Sequence, residues 1–195
     1  MRLYRADYST NVERVALTLG HKGVSEVESV VIDYADRSPV EEVSGQSLVP
    51  VLVDDDGTVV ADSVAIMRHL EARFPDPPLF GPPEVDLFAE WFNEVWKVPP
   101  NAIEASTDPN LIALLAARMD GWLDLFERLL DGRDHLIADR PTAADFVAYP
   151  FLKYAAARDP ADDELFHRIL DDHQSVDDRP RLADWIARVG SLPQC

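Results

Sequence analysis

The stretch from Ser47 to Phe74, SLVPVLVDDDGTVVADSVAIMRHLEARF, leaves few options for how the chain folds. Val49-Pro50-Val51-Leu52-Val53 is a β-branched run, Asp54-Asp55-Asp56-Gly57 is a turn, and Thr58-Val59-Val60-Ala61 is a second strand. Asp62-Ser63 then opens an amphipathic helix. Pro50 enters its strand at the first position, where a missing N–H does least harm, and a proline so placed is a candidate for a cis bond. The spacing therefore predicts that this strand is an edge, or that it turns its unpaired side toward a ligand.

The residues before this stretch extend the pattern. Arg2-Leu3-Tyr4-Arg5 reads as a short strand, and Ala6 to Asn11 as a loop. Val12, Val15, Ala16 and Leu19 recur at helical spacing, with Gly20 and Gly23 as stop signals. Glu26 to Ile32 ends in a β-branched run and reads as a second strand. Ser38-Pro39-Val40-Glu41 has the form of an N-cap, a proline at the first helical position and a capping-box glutamate. The order β-α-β-α-β-β-α predicts a mixed sheet with helices on both faces.

Asp76-Pro77-Pro78-Leu79-Phe80-Gly81-Pro82-Pro83 is proline-rich and stiff, and it places a domain boundary. The division expected is 1–76, a linker 77–83, and an all-helical part 84–195. In that part Val85, Phe88, Ala89, Phe92, Val95 and Trp96 form one stripe, expected to end at Pro99-Pro100. A second stripe runs through Leu111, Leu115, Trp122, Leu125, Phe126 and Leu129 to a stop at Asp131-Gly132. Thr142-Ala143-Ala144-Asp145 is a threonine cap with an acidic residue three positions on, opening a helix that continues to Tyr154. Shorter helices are expected around Leu165 to Leu170 and Leu182 to Val189.

Composition narrows the function classes. A formal charge of −18 over 195 residues argues against a nucleic-acid partner, since phosphate contacts need clustered Lys and Arg. The acidity is spread over both sides of Asp76, as in a solvated surface. No segment approaches the run of about 20 apolar residues that a membrane span needs, and no signal peptide is legible, so a cytoplasmic protein without a membrane partner is expected. The single cysteine, Cys195, excludes a disulfide framework. His21, His69, His135, His167 and His173 lack metal-ligand spacing, and no metal is assigned.

Val49-Pro50 ahead of the hairpin, Asp62-Ser63 opening the next helix, and Thr142-Ala143-Ala144-Asp145 in an all-helical half together resemble the glutathione transferase family over nearly the whole chain. The resemblance implies an α+β two-domain fold, a thioredoxin-like βαβαββα N-terminal domain followed by an all-α domain, with Pro50 in the cis form. It implies glutathione as thiol co-substrate, its cysteinyl backbone pairing with Val49 beside Pro50, its γ-glutamyl carboxylate on Ser63 and its amino group on Asp62. Ser9 lies five residues before Arg14 in a run similar to the Ser-x-x-x-x-Arg-Val pattern of serine-type members, which makes it the candidate thiol-activating hydroxyl. Tyr4 is the rival, and Tyr8, Thr10 and Asn11 are adjacent donors.

Where many members carry a polar contact before the Val-Pro pair, this chain has Leu48, and Gln46 is the candidate to substitute. A thiol other than glutathione therefore stands beside it. The second substrate would be a small hydrophobic electrophile between the halves, with Phe92, Trp96 and Ile103, and Met119 or Trp122 opposite, as pocket candidates, although each reads as core before it reads as pocket. A homodimer is implied, with Phe80, Trp91 and Met67 near its interface. A non-catalytic stress or binding protein of the same fold is the alternative to an enzyme, because fold alone does not decide activity.

Overall fold

Leu3 and Tyr4 are buried on opposite faces of one short strand, so that strand must be covered on both sides. The computed structural model describes residues 1–195 and divides into two units, Met1–Phe80 with Leu192–Cys195, and Gly81–Ser191. The first unit runs β1 (Arg2–Arg5), α1 (Thr10–His21), β2 (Glu28–Val31), α2 (Ser38–Ser44), β3 (Val51–Val53), β4 (Val59–Ala61) and α3 (Ser63–Arg73). The sheet order is β2-β1-β3-β4, with β1 and β2 parallel and the other pairs antiparallel. On one face Leu3 and Leu52 pack with Val15 and Leu19 of α1 and Ile66 and Leu70 of α3. On the other, Tyr4 and Val51 pack with Val40 of α2.

Three local expectations change. The strand after Pro50 is not an edge: β3 is paired on both sides, Leu52 facing Leu3 and Val60. Gly20 does not end α1; Gly23 does, at φ 66°, with Val24 N–H bonded to Leu19 O. Gly20 stays a glycine because a Cβ there would lie 2.0 Å from the Pro193 carbonyl oxygen, where residues 192–195 return to this unit. Ser38 does not cap α2; its hydroxyl bonds the Asp36 carboxylate at 2.6 Å, and Arg37 stands at the cap position.

The second unit is helical: α4 (Pro83–Trp91), a π-helical turn (Phe92–Trp96), α5 (Val98–Glu104), α6 (Pro109–Leu129), α7 (Ala143–Leu152), a 3-10 turn (Lys153–Ala155), α8 (Leu165–Asp172) and α9 (Pro180–Gly190). Pro99-Pro100 begins α5 rather than ending the preceding stripe, because the first turn of a helix has no use for those N–H groups. All ten residues of α7 are buried, and its start is held by Asp145. The Asp145 carboxylate accepts from Thr142 N–H at 2.9 Å, Thr142 Oγ1 at 3.0 Å, Leu136 N–H at 3.0 Å and Trp185 Nε1 at 2.9 Å. Phe92, Trp96, Ile103 and Met119 lie buried in this unit. Phe92 stacks on Trp96 at 4.4 Å and meets Phe151 edge-on, while Trp122 is half-buried against Trp91. No helix is long and apolar enough to cross a membrane.

Candidate functional site

Strand direction decides which loops meet. With β2 parallel to β1 and β3 antiparallel to it, the C-terminal ends of β1, β2 and β4 and the start of β3 share one end of the sheet. That end receives Ser9, the β2–α2 loop with Arg37, the Val49-Pro50 pair and the Asp62-Ser63 helix start.

The Val49–Pro50 peptide is cis, and Pro50 is buried. Val49, two residues outside the ladder, has no hydrogen-bond partner for its own N–H or C=O. A short extended ligand can therefore pair with it as an added strand would.

At α3 the Asp62 backbone adopts φ 76° and ψ 130°, a conformation costing about 1–3 kcal/mol for a residue with a side chain. Its Oδ1 accepts from Val64 N–H at 2.9 Å and Ala65 N–H at 3.0 Å, and its carbonyl accepts from Ile66 N–H. Three of the four donors of the first turn are thereby occupied. The Ser63 N–H is the one left over, beside its own hydroxyl. Arg14 Nη1 donates to Ser63 Oγ at 3.2 Å in a buried contact. Burial pulls the Arg14 guanidinium down to about 9, partly opposed by the Asp62 carboxylate, so it remains cationic at neutral pH. The helix start thus presents an N–H, a hydroxyl and a buried positive charge, a set suited to a carboxylate.

Ser9 is the N-cap of α1: its Oγ accepts the Val12 N–H at 3.4 Å. That bond uses a lone pair and leaves the hydroxyl hydrogen free to donate. Thr10 is buried, Asn11 is half-buried in the first turn, and Tyr8, at φ 59°, is exposed. The Tyr4 and Glu28 side chains hold the Arg2 guanidinium above its ordinary value, and Arg2 begins the strand, at the sheet end remote from Ser9. Gln46 does not reach outward: its amide donates to Leu48 O at 2.8 Å and accepts from Leu48 N–H at 2.6 Å.

Two groups here escaped the sequence reading. Arg14 was visible only as part of a pattern, and its sole signal was a cation among the apolar positions of a helix. Arg37 donates to Ser47 O at 2.9 Å and Tyr34 O at 3.3 Å and lies over the Tyr34 ring, and no local pattern marks it.

Residues 3–78 match the glutathione S-transferase N-terminal domain family and residues 109–188 the glutathione S-transferase C-terminal domain family. The chain belongs to the glutathione S-transferase family. A glutathione S-transferase of Arabidopsis thaliana is 25% identical over 210 residues, covering 96% of this chain and 90% of the relative. Glutathione S-transferase 2 of Onchocerca volvulus is 29% identical, covering 70% of this chain and 68% of the relative. Among solved structures, a glutathione S-transferase from Rhodospirillum rubrum superposes with a TM-score of 0.75 at 26% identity, over 98% of this chain and 88% of that one. A sphingomonad glutathione S-transferase solved with glutathione shares the fold at a TM-score of 0.79 and 18% identity, over 99% and 94% of the two chains. The mixed four-stranded sheet with its helices is the thioredoxin-like N-terminal domain of this family, followed by its helical domain.

Proposed function

We propose that this glutathione S-transferase-like chain activates the thiol of glutathione, or of a closely related thiol peptide, and delivers the thiolate to a small hydrophobic electrophile. The observation that carries the reading is the convergence, at one sheet end, of three unsatisfied groups: the Val49 backbone, the Ser63 N–H with a hydroxyl tied to Arg14, and the Ser9 hydroxyl. The γ-glutamyl carboxylate would take the Ser63 donors, and its ammonium the Asp62 Oδ2, which accepts no hydrogen bond from the chain.

A cysteinyl side chain beside Val49 then faces the start of α1. A thiol with pKa of about 8.5 is mostly protonated at neutral pH; a donated Ser9 O–H and the positive end of a helix favour the anion. The thiol proton leaves to solvent, the sulfur lone pair forms the new bond to carbon, and the electrophile's leaving group or π-bond takes up the displaced electrons. Arg14 acts one step back, orienting Ser63 and offsetting the field of an acidic protein where an anionic ligand must bind.

The test is steady-state turnover of glutathione with a generic aromatic electrophile, in the wild type and in Ser9→Ala. Turnover that falls with Ser9→Ala while S-methylglutathione still binds supports the proposal; equal turnover in both proteins removes Ser9 from the role. Binding without turnover in the wild type points to the non-catalytic alternative. We place the protein in the cytoplasm, as a homodimer. Trp91 is half-buried, and Leu87, one turn earlier on α4, is exposed, which suits an interface; Met67 does not, being buried inside the first unit. A monomer mass by light scattering at micromolar concentration would contradict the dimer.

A further inference from the structure

Leu48 is one of the most exposed large apolar side chains of the chain, at 67%, yet its backbone is fixed. The Gln46 amide bonds both its N–H and its C=O, and the Gln46 Nε2 is bonded in turn to Ser44 Oγ at 3.2 Å. A loop that rigidly projects a leucine into solvent gains nothing for folding, since the side chain leaves no water behind. Tyr34, 38% exposed, lies close by through Arg37, whose guanidinium covers the Tyr34 ring at 4.7 Å while donating to the carbonyl of Ser47. Arg37 uses Nε and Nη1 in these contacts, and its Nη2 has no partner. Two exposed apolar side chains and a cation with a spare donor are therefore carried on the two segments that Arg37 ties together just ahead of Val49.

We infer that the thiol ligand ends, on the side remote from Ser63, in a residue that carries both a carboxylate and an apolar side chain. The carboxylate meets Arg37 Nη2, and the side chain covers Leu48 and Tyr34. This rests on the thiol-peptide reading above and names its substrate class: a γ-glutamyl-cysteinyl peptide with an apolar third residue, in preference to one ending in glycine. Glycine would satisfy Arg37 and leave Leu48 in water. Gln46 is on this account a positioning residue, acting through Leu48.

The test is calorimetric titration of the full chain with γ-Glu-Cys-Gly, γ-Glu-Cys-Leu and the C-terminal amide of γ-Glu-Cys-Leu. Covering about half of two apolar side chains, offset by the cost of ordering the ligand's own leucine, predicts a preference of about 5- to 10-fold for γ-Glu-Cys-Leu over γ-Glu-Cys-Gly. Leu48→Gln, an exposed change that leaves the fold intact, should abolish that preference and keep γ-Glu-Cys-Gly binding. Arg37→Ala should weaken both acids similarly and leave the amide unaffected. Equal affinities in the wild type, or a preference that survives Leu48→Gln, overturn the inference while the thiol cradle stands. Failure of all three peptides to bind overturns the cradle as well. A Leu48→Gln chain that loses dimer mass with its ligand preference unchanged assigns Leu48 to a second copy and also ends the proposal.

Discussion

At the start of α7 the Asp145 carboxylate receives four donors; at the start of α3 the Asp62 carboxylate receives two, both on the same oxygen. Asp145 is wholly buried and ties the cap to Leu136 and to Trp185 on α9, so it joins elements distant in the chain. Asp62 sits on a backbone at φ 76°, and next to it the Ser63 N–H has no partner. Both begin as an acidic residue at a helix N-terminus. A cap whose lone pairs are all filled holds the fold, whereas a cap that costs strain and leaves a donor over is arranged for something outside the chain.

Asp145→Ala gives the largest expected effect on either side of that contrast. Four donors lose a charged acceptor in a fully buried site, which costs about 3–5 kcal/mol. Thermal unfolding should show a Tm lower by about 10 °C. A shift under about 2 °C would mean the α7 cap is not structural in this sense.

Ser9→Ala comes next and belongs with Asp62. Its stability cost is that of a cap, about 1 kcal/mol, while kcat/KM should fall by about 100-fold. If stability and activity fall in proportion, Ser9 is a cap like Thr142 and nothing more.

Asp62→Gly separates the two helix starts more finely. Glycine adopts φ 76° without strain and caps nearly as well, so Tm should hold or rise slightly. Affinity for S-methylglutathione should drop about 10-fold, the worth of one ammonium contact. Unchanged affinity would return Asp62 to the structural class.

The smallest effect is in pH. Burial lowers Arg14 to about 9 in the folded chain, well below the ordinary value of a guanidinium. Between those values the unfolded chain carries a proton that the folded chain lacks, so the Arg14 contribution to stability rises with pH there and is least favourable below 9. Binding runs the other way, because the carboxylate needs the charge. The affinity difference between wild type and Arg14→Met for S-methylglutathione should narrow as pH passes 9, and this comparison cancels the ligand's own titration. A constant gap through pH 10 would show that Arg14 acts by packing alone.

Much of this contrast was legible in the residues. The hairpin, the Thr142–Asp145 box and the Asp62-Ser63 start are signals within four residues, where backbone geometry and a short polar side chain settle the outcome between themselves. The same kind of signal at Ser38–Glu41 failed, because Asp36 captured the Ser38 hydroxyl first. Gln46 was expected to face a ligand and instead bonds its own loop two residues on.

By itself the sequence determined the order of elements in the first unit, the proline ahead of β3 and the helix starts at Asp62 and Thr142, since these rest on local sterics, period and capping chemistry. Only the tertiary structure decided which caps are closed and which are open. Arg14 meets Ser63 across 49 positions, and Gly20 makes room for Pro193. Arg37 gathers Tyr34 and Ser47 into one patch. Such contacts depend on strand order and on which helix covers which face, and pairwise packing over that distance has no period or motif to announce it.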